Sequence, residues 1–103
     1  MTNRRYELHD ILCSILGSTE RVYFQPPESV KLKYPAIVYK LANIDETYAD
    51  DRVYFAKRLY DITLMTKDPD NTYIDQILQI PGCSFDRSYI VDTLNHYVFN
   101  IYY

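Results

Sequence analysis

The stretch YFAKRLYDITLMT, Tyr54–Thr66, decides the fold. Tyr60, Ile62 and Leu64 fall on one side of an extended chain, and Asp61 and Thr63 on the other. That period of two marks a half-buried strand. It is the longest strand signal in the chain, so the other elements are read outward from it. On its N-terminal side, YPAIVYKLAN (Tyr34–Asn43) repeats the pattern. Ala36, Val38 and Lys40 alternate with Ile37, Tyr39 and Leu41, and Pro35 sits at the start, where a strand tolerates it. Between the two lies IDETYADDR, Ile44–Arg52, carrying Asp45, Glu46, Asp50 and Asp51. It reads as an exposed acidic loop, longer than the two to five residues usual in a hairpin. Residues 36–66 are therefore expected as a hairpin-like pair across a long loop.

On the C-terminal side, LNHYVFNIYY (Leu94–Tyr103) places Tyr97, Phe99, Ile101 and Tyr103 on one face and His96, Val98 and Asn100 on the other. In FDRSYIVD (Phe85–Asp92), Phe85, Tyr89 and Val91 alternate with polar residues. The tight connection at Asp92-Thr93 predicts an antiparallel hairpin. Leu8, Ile11, Leu12, Ile15 and Leu16 recur at three- and four-residue spacing, which predicts a helix over residues 3–16. Arg4, Glu7, His9, Asp10 and Ser14 fall on its solvated side, Thr2 or Asn3 caps its start, and Gly17 takes the left-handed position at its end. A second stripe, Ile74, Ile77 and Leu78, follows a cap at Asp70 or Asn71 and stops at Pro81-Gly82. Arg21–Phe24 is a short extended segment halted by Pro26 and Pro27.

The order is α-β-β-β-α-β-β, in a single domain spanning residues 1–103. Two helices with stripes one face wide imply an α+β fold, a mostly antiparallel sheet with both helices packed on one face. The opposite face is then expected to carry Lys40, Asp61, Thr63, Thr66, His96 and Asn100, interspersed with Val38, Leu59, Met65 and Val98. Such a half-apolar face suits a subunit in a ring better than a monomer.

Composition excludes several classes. Leu, Ile, Val and Phe make up 29 of 103 residues, above the roughly 20% below which disorder is the better reading. The formal net charge of -3 argues against general binding to a phosphate backbone, which needs a basic surface. No apolar run approaches the ~18 residues of a membrane span, and Met1–Asp10 lacks the apolar region of a signal peptide. Cys13 and Cys83 are 70 positions apart with no CxxC, and read as two buried or semi-exposed thiols in a reducing compartment. Twelve tyrosines and no tryptophan supply side chains that pack on one side and hydrogen-bond on the other, a residue type enriched at interface cores.

No reaction is spelled out. The only glycines, Gly17 and Gly82, form no phosphate-cradling loop. His9 and His96 are too few and too isolated to suggest zinc or a triad. Ser14 and Ser88 lack an activating neighbour in sequence. The acids of residues 44–52 could hold Mg²⁺ or Ca²⁺ by count, but their spacing matches no EF-hand. No cofactor is implied. The same segment is the expected interface or lumen loop, with Asp45, Glu46, Tyr48, Asp50, Asp51, Arg52 and Tyr54 as its candidate residues.

The phrases VYFQPP (Val22–Pro27), KYPAIVYKL (Lys33–Leu41), TYADDRVY (Thr47–Tyr54), RLYDITLMTKDPD (Arg58–Asp70) and DTLNHYVFNIYY (Asp92–Tyr103) resemble those of small tail proteins of long-tailed bacteriophages and prophages. The nearest counterparts are the tail terminator, or tail-to-head joining, proteins. The resemblance implies an α+β subunit of a hexameric ring that caps the tail tube, stops its growth and offers a docking surface to the head connector. Its partners would be copies of itself, the tail tube protein and head connector proteins. DNA would pass through the lumen without sequence-specific contact, and acids lining that lumen would repel its phosphates. No membrane is involved, and the location would be the virion tail, after assembly in the host cytoplasm. The alternatives are a head–tail completion (neck) protein, a small metal-dependent enzyme using the acidic loop, and a dimeric module that adds strands edge to edge.

Overall fold

Period-two alternation over Tyr60–Leu64 builds the middle strand of the sheet. The computed structural model describes residues 4–17, 19–27, 31–49, 52–68 and 72–103. Its elements are α1 (Arg4–Leu16), β1 (Val22–Phe24), β2 (Ala36–Ala49), β3 (Arg52–Thr66), α2 (Tyr73–Leu78), β4 (Cys83–Val91) and β5 (Leu94–Tyr102). The strands form one sheet in the order β1-β2-β3-β5-β4. β1 runs parallel to β2, and every other pairing is antiparallel. This is the α+β fold, in the order α-β-β-β-α-β-β, that the alternation and the helical stripes predict.

Rows of apolar side chains cross one face of the sheet. Ile37, Leu64 and Tyr97 form one row, and Tyr39, Ile62, Phe99 and Phe85 the next. Leu8 and Leu12 of α1 and Ile77 of α2 close over them, fully buried. Both helices thus occupy the same face. Gly17, at φ 71°, ends α1 in the left-handed conformation and donates its N–H to the Cys13 carbonyl at 2.8 Å. Residues 1–3 and 69–71, where helix caps were expected, lie outside the described residues. Thr72 occupies the N-cap position of α2 without a side-chain cap bond.

Three sequence expectations need correction. Thr66 continues the side of Leu64 and is buried, accepting the Asp68 N–H at 3.2 Å, so it does not belong to the opposite face. In β4 the register shifts between Phe85 and Arg87. This bulge re-aims the strand: Phe85 stays beside Phe99, while Tyr89 pairs with His96 on the far face. Alternation through a bulge cannot hold both on one side. In α2, Ile77 is buried but Leu78 is 39% exposed, and burial passes to Ile80 beyond the helix end.

The β4–β5 connection has φ 51° at Asp92 and 65° at Thr93. Two left-handed residues match the type I′ turn, whose twist fits an antiparallel hairpin. A β-branched residue is an outlier there. Thr93→Gly is therefore expected to stabilise the protein by about 1 kcal/mol. It should appear as a higher urea midpoint at unchanged slope. A lower midpoint would show that the threonine is not strained.

Candidate assembly surface

The described part of the segment expected as a loop is strand. β2 continues to Ala49 and β3 begins at Arg52, with Asp45 opposite Lys57, Glu46 opposite Ala56, Thr47 opposite Phe55, Tyr48 opposite Val53 and Ala49 opposite Arg52. Tyr54 is the extra residue at the register shift beside Thr47 and Tyr48. Asp50 and Asp51 lie outside the described residues. Four acids suggested solvent and hence a loop, but Ile44, Thr47, Tyr48, Val53, Tyr54 and Phe55 are strand formers, and a ribbon can carry acids on its solvated positions.

This distal half of the hairpin is an arm. β1 covers the outer edge of β2 only from Ile37 to Tyr39. Just beyond it, the Leu41 N–H is met by the Gln25 side-chain oxygen at 3.1 Å, and Pro26 and Pro27 carry the chain away. On the other side β5 pairs with β3 only from Leu59 onward, and the Tyr103 N–H reaches the Arg58 carbonyl at 3.0 Å. Among the described residues, no third strand pairs with residues 44–49 or 52–57. The molecule extends 51 × 25 × 23 Å with a radius of gyration of 14.8 Å, where a compact chain of this length would have about 12.8 Å. Its surface, 7002 Å², exceeds the roughly 6,100 Å² of a compact chain. The excess fits a projecting ribbon.

The second surface is the sheet face away from the helices. Its rows are Ala36, Met65, His96 and Tyr89; Val38, Thr63, Val98 and Arg87; and Lys40, Asp61, Asn100 and Ser84. Val98 and Ala36 are buried among their neighbours, and Val38, Thr63 and Met65 are half-buried. Tyr89 stacks on His96 at 4.8 Å and 13°. The mixture of apolar and polar positions matches the sequence expectation, apart from Thr66.

The third surface is β4. Past a half-buried Cys83, every residue of this strand is exposed, including Phe85, Tyr89, Ile90 and Val91. Its only charges, Asp86 and Arg87, pair with each other at 2.8 Å. The sequence marked these residues as strand but carried no sign that the strand would lie at the edge.

A part-buried polar cluster beneath α1 serves packing. Tyr39 is fully buried and its hydroxyl sits 2.7 Å from His9 Nδ1 and 3.3 Å from an Arg5 guanidinium nitrogen. Arg5 donates to the phenol oxygen, and the phenol can donate to an unprotonated His9 Nδ1. Burial pushes the Tyr39 phenol up, opposed by Arg5. His9 is therefore half-buried against the core and not on the solvated face of α1, because the stripe could not show that a long polar side chain reaches Tyr39. The groove between α1 and α2, about 470 Å³, is lined by Ile11, Ile15, Ile80 and Pro81 among others and contains none of these three residues.

Both cysteines are free, Cys13 buried and Cys83 half-buried, as their sequence context suggests. Burial pushes the Cys83 thiol up to about 11, so it is protonated at neutral pH and a poor nucleophile. Among the described residues, no three His, Cys, Asp or Glu side chains are grouped to hold a metal ion. No helix among them is long and apolar enough to cross a membrane. No protein-family model matches this chain, and no curated protein matches it at a significant level.

Proposed function

We propose that this chain is a structural protein of a long-tailed phage or prophage tail, acting as the tail terminator. In this reading, copies close into a hexameric ring on the tail tube, stop its growth and present a docking surface to the head connector. The protein transforms no substrate. It works in the virion tail and is assembled in the host cytoplasm. The phage assignment draws on the sequence phrases quoted above.

The observation that carries the assembly reading is the arm. A two-stranded ribbon alone in water is marginally stable at best, yet residues 44–49 and 52–57 pair beyond the reach of the third strand. Contact with neighbouring copies would supply what the ribbon lacks. The acids Asp45 and Glu46, with Asp50 and Asp51 between the strands in sequence, would then border the DNA channel, where negative charge keeps phosphates from adhering.

Mass photometry on the purified protein, alone and with tail tubes, tests this. Six copies of a 12.3 kDa chain give a particle of about 74 kDa, expected free or at tube ends. Phage lacking the protein should carry tails of uncontrolled length that do not join capsids. Normal tails on filled capsids in its absence would refute the assignment. Rings that bind the connector but ignore the tube would move the protein to the neck.

A further inference from the structure

We propose, on the basis of the ring reading above, that copies join edge to edge: the outer edge of β4 in one copy receives the β3 half of the neighbour's arm, Arg52–Lys57. One sheet would then run across the interface.

β4 is the last strand of the sheet, and among the described residues only its inner edge is paired, to β5. Soluble proteins protect such edges with lysine, proline or strong bulges. β4 holds no proline and no lysine, its two charges, Asp86 and Arg87, are paired with each other, and its bulge lies near its start, leaving Ser88–Val91 uncharged and in regular register. Along that run Ile90 is 70% and Val91 48% exposed. A bare edge bordered by exposed apolar side chains is a surface for another strand.

The same chain supplies that strand. Arg52–Lys57 reads RVYFAK, four non-charged residues between two basic ones, whereas Ile44–Ala49 reads IDETYA with two acids. The apolar sequence is the better match for Tyr89, Ile90 and Val91. Six residues of arm, about 20 Å, fit within the nine of β4. Pairing within one copy is blocked, because β5 lies between β3 and β4. The donor and acceptor are different surfaces, so the contact is head to tail and repeats around a closed ring.

Two full-length variants, Ser88→Cys in β4 and Ala56→Cys in the arm, test the contact. A short bismaleimide should join them when mixed, at least tenfold above either variant alone or the wild-type protein with its two shielded thiols. Equal linking within Ser88→Cys alone would mean that β4 pairs with β4, and would overturn the proposal. So would the absence of any excess. Ile90→Lys, at an exposed position, should weaken ring formation at least tenfold while leaving the melting temperature unchanged; wild-type rings from this variant would also overturn it. Rings on tail tubes without the Ser88–Ala56 link would sink the arm contact and spare the tail assignment. The link without tube binding would do the reverse.

Discussion

Phe99→Ala is expected to destabilise the protein by about 4 kcal/mol. Phe99 is fully buried near the middle of the helix-covered face, opposite Ile62 on β3 and in edge-to-face contact with Phe85 at 5.6 Å and 72°. Truncation removes the ring from water-free surroundings and leaves a cavity between a sheet and two helices, elements that cannot collapse to fill it. For a domain whose whole stability is about 5–15 kcal/mol, that is a large share. The melting temperature should fall by about 20 °C. Phe85→Ala, on the same row but 47% exposed at the edge strand, should cost no more than about 1 kcal/mol. Urea titration of both variants measures the contrast. Equal losses would mean that the core is not centred on β3 and β5.

Gly82→Ala should cost about 3 kcal/mol. Gly82 has φ 85°, and a Cβ built there would lie 2.9 Å from the Tyr102 carbonyl oxygen. The left-handed backbone accounts for about 1–2 kcal/mol, and overpacking accounts for the remainder. The obstacle is backbone, held in β5, where the Tyr102 N–H donates to the Gly82 carbonyl at 3.3 Å, so it cannot rotate aside as a side chain would. Gly17 provides the control. It too has positive φ, 71°, but nothing lies within 4 Å of its added Cβ. Gly17→Ala should therefore cost only the conformational part, about 1–2 kcal/mol. If the two variants melted together, the close approach of the Pro81–Gly82 turn to β5 would be wrong.

Both predictions concern the body of the protein, and the division is physical. The buried cluster that the helices close, as far as the described side chains show it, is built from the body of the sheet and the two helices. A ribbon that no third strand supports among the described residues must find further stabilising contacts elsewhere. That is why arm and edge changes should alter assembly, while core changes alter folding.

Local pattern carried much of the architecture. The period of two in Ala36–Leu41, Tyr60–Leu64 and Tyr97–Tyr103, and the helical spacing of Leu8, Leu12 and Ile15, each reflect one element meeting one apolar layer, and that information is contiguous in the chain. The Asp92-Thr93 turn was legible for the same reason. The arm was not. Asp45, Glu46, Asp50 and Asp51 imply water, and water is compatible with a loop or with a ribbon whose backbone bonds are made across to another strand. His9 was misplaced because its partner, Tyr39, lies 30 positions away.

Outside the arm, the amino-acid order alone thus determined which segments are helix or strand and, apart from β4 and Thr66, which of their faces is apolar, since these follow from neighbours a few residues apart. Only the tertiary structure decided that β1 lies parallel to β2, that β5 separates β3 from β4, that a bulge turns Tyr89 to the far face, and that β4 ends the sheet exposed. Strand pairing joins backbone groups that carry no residue-specific label across long separations, so the partner of each edge is set by how the whole chain closes its core.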